Sequence, residues 1–335
     1  MKSCVIGLFC AGVVLIQGLQ AHAASFTKVS VAGSTGTGVS SINSNGDLTG
    51  SYGTSDGNGH GFIRTADGKI KTFDANGPLS NTSPAFINDA GAVSGGYIDA
   101  DRLLGFFRSN KGAVTLFDAG GDQVILAGMN NSNVIAGRYF GDDGVRHGFI
   151  RAADGSITKF DDPNAAHGTI PRGINDLGDV VGQYTDAANV DHAFIRTADG
   201  NFSEFDVQGI GTCTGEGTYA FGINKIGAIV GWCVDSGGQA QGFLRSPKGK
   251  TTEFVAPDGV TTRPFAIDEF GNVSGYYFDQ NGVAHSFVRS KAGKLIEFDP
   301  PKSLTSEAYA IAGQGVAVGP YTDSKGHNFG FIRTP

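Results

Sequence analysis

Gly173-Ile174-Asn175-Asp176-Leu177-Gly178, then Val180-Val181-Gly182-Gln183-Tyr184, then His192-Ala193-Phe194-Ile195-Arg196, Ala198-Asp199-Gly200 and Phe205-Asp206 form the stretch that decides the fold. It holds four short apolar runs separated by Asn, Asp and Gly, the residues that reach the positive φ angles of tight hairpins. The same series recurs along the chain. The Phe of its third element falls at Phe62, Phe106, Phe149, Phe194, Phe243, Phe287 and Phe331, at intervals of 44, 43, 45, 49, 44 and 44 residues. An arginine follows two places later each time, from Arg64 to Arg333, and the Tyr of the second element recurs except in the fifth copy, where Cys233 replaces it. Phe-Asp closes the copies at Phe73, Phe117, Phe160, Phe205 and Phe298, with Phe254-Val255 as the variant. Seven units of four antiparallel strands predict an all-β, seven-bladed β-propeller over residues 24–335.

The ends of the chain fit that prediction. The seventh copy stops at Phe331-Ile332-Arg333-Thr334-Pro335, one strand short, whereas Phe26-Thr27-Lys28-Val29-Ser30-Val31 is a strand-like run ahead of the first copy. Pairing the two completes the last blade, so an N-terminal strand closes the ring.

Composition agrees with many turns. Of 335 residues 53 are Gly, more than twice the usual share, yet 40 % are hydrophobic and 24 are Phe, which excludes collagen and disorder. Net charge is -7 with no basic run, which argues against nucleic acid and against an anionic membrane surface. Residues 1–23 combine Lys2, an apolar run from Cys4 to Ile16 and Ala21-His22-Ala23, the pattern of a cleaved secretory signal peptide. The expected location is therefore secreted or periplasmic, with no membrane span in the remainder and a monomeric state. Removal of that leader leaves Cys213 and Cys233, which in an exported protein read as a disulfide. Such a bridge closes a loop of about 20 residues and contributes on the order of 3 kcal/mol.

His192-Ala193-Phe194, the Gly-Ile-Asn elements at Gly173 and Gly222, and the Val-Gly elements at Val180 and Ile229 resemble those of exported bacterial proteins described as HAF-family extracellular repeats. The resemblance covers nearly all of the chain after the leader. It implies export and a propeller-like fold, and it carries over neither an activity nor catalytic residues.

A site in a repeat protein is built from departures from the repeat. The repeat arginines and Phe-Asp aspartates read as structural ion pairs or hydrogen bonds. His60, His147, His192 and His285 share one strand position and read as structural too, so no metal and no cofactor is expected. The departures are Arg102, Arg138, Arg146, Arg172, Arg263, His167, Glu216, Glu307, Tyr219, Tyr276, Tyr309 and the single Trp232. Strand order puts most of them on the face with the longer loops, at the mouth of the central channel. Aromatic faces stack on sugars and planar guanidinium groups take hydroxyls or carboxylates, so Arg138, Arg172, Trp232, Tyr276, Tyr219 and Arg263 point to an extracellular carbohydrate ligand. The alternatives are a polysaccharide lyase using His167, Arg172 and Tyr309, a glycoside hydrolase using Glu216 and Glu307, or a platform for a protein partner.

Overall fold

The computed structural model describes residues 24–207 and 213–335, without the side chains of 213–216. The leader read over 1–23 lies outside the described residues. β1 (Ser25–Val29) precedes the repeats. The first repeat forms β2 (Gly36–Ile42), β3 (Leu48–Gly53), β4 (Gly59–Arg64) and β5 (Ile70–Phe73), and the second forms β6 (Ser83–Ile87), β7 (Val93–Asp99), β8 (Arg102–Arg108) and β9 (Val114–Phe117). The third supplies β10 (Val124–Met129), β11 (Ile135–Phe140), β12 (Arg146–Arg151) and β13 (Ile157–Phe160). The fourth supplies β14 (Thr169–Ile174), β15 (Val180–Thr185), β16 (Asp191–Arg196) and β17 (Phe202–Phe205). β18 (Cys213–Ile223), β19 (Ile229–Asp235), β20 (Ala240–Arg245) and β21 (Thr251–Phe254) belong to the fifth, and β22 (Thr261–Ile267), β23 (Val273–Phe278), β24 (Ala284–Arg289) and β25 (Leu295–Phe298) to the sixth. The last has β26 (Ser303–Ser306), β27 (Ala310–Ala312), β28 (Val316–Asp323) and β29 (Asn328–Thr334).

Each repeat is a meander of adjacent antiparallel strands, and the whole is an all-β propeller. Five sheets stand alone as blades. The fourth and fifth repeats instead share one eight-stranded sheet, where seven separate blades are expected. The cause is the length of β18: its 11 residues start early enough to run beside β16, and Asp191 and Gly217 form a parallel bridge. β1 pairs antiparallel with β29, from Ser25 opposite Thr334 to Val29 opposite Gly330. Val29, Val31 and Val318 then pack with Val39, Leu48 and Phe62, so the last sheet is welded to the first. No helix among the described residues is long and apolar enough to cross a membrane.

The repeat residues link neighbouring units in both directions. The Asn of Ile-Asn-Asp-x-Gly is buried, and its two ends do different work. Asn130 Oδ1 accepts from the backbone N–H groups of Ser132 and Val134, both at 3.0 Å, which holds the hairpin turn. Its Nδ2 donates to the carbonyl of Asn175 in the next unit at 3.1 Å. Asn43, Asn88, Asn175 and Asn224 donate forward in the same way. The repeat arginines reach backward. Arg196 lies over the Phe160 ring of the preceding unit at 4.7 Å, and Arg108, Arg151, Arg245, Arg289 and Arg333 repeat the contact. Of the ion pairs or hydrogen bonds expected for these arginines, hydrogen bonds to backbone carbonyls form, as from Arg196 to Thr197 at 3.3 Å, whereas among the described residues no ion pair does and a flat cation covers an aromatic ring. The Phe-Asp aspartates pair with the strand histidines instead, as in His192 Nδ1 to Asp206 at 2.9 Å and His147 Nδ1 to Asp161 at 2.8 Å.

Two kinds of glycine fit these contacts. A Cβ on Gly148 would stand 2.5 Å from the Phe160 ring, which crosses that strand. A Cβ on Gly231 would stand 1.9 Å from the carbonyl oxygen of Tyr219 on the adjacent inner strand.

Replacing Asn130 by Ala removes the turn acceptor and the forward donor together, and is expected to lower stability by about 2 to 3 kcal/mol, whereas Ser132→Ala in the exposed turn changes it by less than about 0.5 kcal/mol. Urea unfolding of both variants checks this. A second expectation concerns pH. Burial opposes protonation of His147 and His192, but hydrogen bonds to Asp161 and Asp143, and to Asp206 and Asp186, outweigh it and raise both above the ordinary value of 6.5. That stabilisation is complete below pH 6.5 and is lost as pH rises through the raised values. Burial lifts Asp162 from 3.8 to about 6, so its contribution is likewise present in acid and lost toward neutrality. Asp143 and Asp186, lowered chiefly by backbone N–H groups, lose theirs as pH falls below 3.8. Thermal melts are therefore expected to peak between about pH 4 and 6 and to decline toward pH 8, and a His147→Asn, His192→Asn double variant flattens the decline.

Candidate functional site at the channel mouth

Each inner strand carries a bulge at the same place. On β14 the register steps from Pro171 to Gly173 against β15, leaving Arg172 as the extra residue. The same step leaves Ser40 on β2, Ala85 on β6, Ala127 on β10, Phe221 on β18 and Phe265 on β22. Tyr309 occupies the position between β26 and β27. The glycine of Val-x-Gly on the neighbouring strand admits the bulge, as Gly231 does beside Phe221. The apex residue is thereby turned out of the sheet. Six of these seven residues, all but Ala85, line one cavity of about 410 Å³, together with Ile125, Arg138 and the aliphatic ring that includes Ile174, Ile223 and Ile267. A second cavity, of about 290 Å³, shares that ring and opens among the Asn-Asp turns at the opposite end.

The mouth is strongly one-sided. The apex residues are the small Ser40, Ala85 and Ala127 on the first three units, where Phe86 and Ile125 line the cavity, and the rings of Phe221, Phe265 and Tyr309 on the last three. Behind them stands a continuous aromatic wall. Phe221 stacks on Trp232 at 4.0 Å, Trp232 on Tyr219 at 5.7 Å and Phe265 on Tyr276 at 5.3 Å, while Tyr309 lies 5.5 Å from Phe265. Arg263 is clamped between Trp232 and Phe278, at 5.5 and 5.6 Å from their centroids. Its Nε is buried without a hydrogen-bond partner. The Tyr309 hydroxyl donates to Glu307, and burial together with that carboxylate raises its pKa.

Between the small and aromatic arcs lie Arg138 and Arg172. Arg172 Nε donates to Gln183 Oε1 at 3.1 Å, and its guanidinium covers Phe221 at 4.7 Å. Burial, then repulsion by Arg138 and Arg146, pushes it down to about 10. Burial and Arg146 push Arg138 down to about 10 as well. Among the described residues only one arginine, Arg102, forms an ion pair with a carboxylate, at 2.6 Å to Asp118. Asp191, the acid that acts on Arg172, already accepts from the Tyr219 hydroxyl at 2.8 Å and the Thr185 hydroxyl at 2.6 Å.

Of the residues singled out in the sequence, Arg138, Arg172 and Tyr309 line the cavity. Tyr219, Trp232, Tyr276 and Arg263 form the layer behind it. His167 is exposed on the loop before β14 and is not brought to the mouth, so the trio of His167, Arg172 and Tyr309 does not assemble. Glu216 lies in β18 with its side chain outside the described residues. Cys233 is buried on β19, whereas Cys213 opens β18 opposite Asp235, its side chain likewise outside the described residues. Phe221 and Phe265 were not singled out. Their signal is the variable place two residues before the Ile of each Ile-Asn element, read as Arg, Phe, Phe and Tyr in the last four copies. No cluster of three or more His, Cys, Asp or Glu among the described residues is arranged to hold a metal ion.

No family model and no curated protein matches the chain. Solved structures do. A streptogramin B lyase shares 15 % identity over 93 % of this chain and 98 % of its own, with a TM-score of 0.62. A catalytically inactive virginiamycin B lyase from Staphylococcus aureus with quinupristin shares 15 % identity over 93 % of this chain and 100 % of its own, also at 0.62. A puromycin hydrolase shares 15 % identity over 85 % of this chain and 50 % of its own, at 0.53. At such identities the likeness speaks for the fold alone, and the fold that it supports is the β-propeller.

Proposed function

We propose that the chain is an exported propeller of seven repeat units that binds a carbohydrate at the mouth of its channel. The eight-stranded sheet counts as two units in this reading, since each half has its own bulged inner strand. The observation that carries the reading is the wall of Phe221, Phe265 and Tyr309, backed by Trp232 and Tyr276, along a cavity of about 410 Å³. Stacked rings of this kind offer an apolar face to the C–H side of a sugar, and the polar rim supplies hydrogen bonds. Trp232, the single tryptophan, reports on the wall through its stacking on Phe221. Titration with neutral and acidic oligosaccharides is expected to change its fluorescence, and Phe265→Ala is expected to weaken binding about ten-fold or more. A panel that leaves the fluorescence unchanged overturns the proposal.

A second reading, cleavage of a polysaccharide at the same mouth, is favoured by the hydroxyl–carboxylate pair of Tyr309 and Glu307. Shortened or unsaturated products in the same incubations, lost in Tyr309→Phe, distinguish catalysis from binding.

The bridge between Cys213 and Cys233 also belongs to this proposal. It is supported by their adjacent strands: Cys213 is paired with Asp235, two residues beyond Cys233. It would pin the start of β18 beside the aromatic wall. Alkylation of the unreduced, denatured protein is expected to label neither cysteine, and labelling of both refutes the bridge.

A further inference from the structure

Two arginines face the cavity without a carboxylate to answer them, in a chain whose net charge is -7. Arg138 has no hydrogen-bond or ion-pair partner among the described residues, and Arg172 spends one N–H on Gln183. They repel each other, and the exposed Arg146 repels both. A folded chain has no gain from holding desolvated like charges together, since each loses hydration, neither forms an ion pair, and only Arg172 feels an acid, Asp191. Ligand sites are where such arrangements persist, because the ligand brings the missing charge. The carboxylates close by do not fill the role: Asp191 is held by two hydroxyls, and Glu307 by Tyr309 across the mouth.

We propose that the mouth is built for a glycan that carries an oxyanion, a uronate carboxylate or a sulfate ester, which Arg138 and Arg172 bind while a sugar face lies on the aromatic wall at Phe265 and Tyr309. The inference rests on the carbohydrate reading and adds the charge of the ligand. The remaining N–H groups of each guanidinium present a fork that matches two oxygens of such an anion. Arg263 takes no part, since it is clamped between Trp232 and Phe278.

The test uses the full chain after leader removal and the fluorescence of Trp232. The probes are oligogalacturonate, its carboxyl-reduced neutral counterpart, a sulfated galactose oligomer, and inorganic sulfate. An acidic oligomer is expected to bind at least about ten-fold more tightly than the neutral one, as charge-assisted hydrogen bonds require. That advantage, read as the ratio of the two affinities, shrinks with added sodium chloride and is absent in Arg138→Gln, Arg172→Gln. Whether the carboxylate or the sulfate ester binds more tightly identifies the source of the anion. Without ligand, Arg138→Gln is expected to melt at a higher temperature than the parent, because an unanswered charge has been removed. Inorganic sulfate raises the melting temperature of the parent more than that of the double variant. Equal affinity for acidic and neutral oligomers overturns the oxyanion and leaves the carbohydrate reading standing. Stabilisation by sulfate without binding of any glycan overturns the carbohydrate, and with it the proposed ligand, while supporting the anion site. An absence of every effect overturns both.

Discussion

The buried asparagine of the Ile-Asn-Asp-x-Gly element is the contact on which the ring depends. One side chain closes its own hairpin through Oδ1 and docks that hairpin on the next unit through Nδ2. The same few atoms therefore contribute to both local and long-range order. The relay runs from Asn43 to the carbonyl of Asp268 and finds no amide donor at Asp268 or Ala312. The interval without a donor is also where β1 pairs with β29 and Val29, Val31 and Val318 pack against the first unit. Backbone pairing and apolar burial take over where the amide relay ends.

The inner bulges translate this rigidity into a site. A glycine on the second strand accepts the neighbouring carbonyl, the inner strand gains a residue, and its side chain is turned toward the channel. Because the sheet on either side is in register, the apex side chain is free of the packing rules that fix the Phe and Ile positions. Size and charge have been distributed unevenly around the mouth: small residues on one arc, arginine next, aromatic rings on the rest. The cationic part is placed against the overall acidity of the chain, and its lack of carboxylate partners is the feature that burial alone would not produce.

Much of this was legible in the sequence. The spacing of Phe62 to Phe331 set the strands, the four-strand unit and the closure by Phe26 to Val31. Subtracting the repeat led to Arg138, Arg172, Tyr309, Trp232 and Tyr276 on one face. What was not legible depends on register between strands. Phe221 and Phe265 look like ordinary core residues until the bulge turns them outward. The repeat arginines look like ion-pair donors until the sheets stack and bring Phe160 under Arg196. His167 stands out because it departs from the repeat, but rarity along the chain does not decide where a loop is carried. The fusion of two units into one sheet follows from the extra length of β18, which the repeat spacing does not show.

The apex positions read around the ring as Ser, Ala, Ala, Arg, Phe, Phe and Tyr, a seven-letter word on an otherwise repetitive frame. The frame is spelled by glycines on a different strand, so letters can be exchanged without rewriting the sheet that displays them. Related rings would then differ in what they recognise by respelling seven residues, and two such proteins with nearly identical skeletons need have no ligand in common.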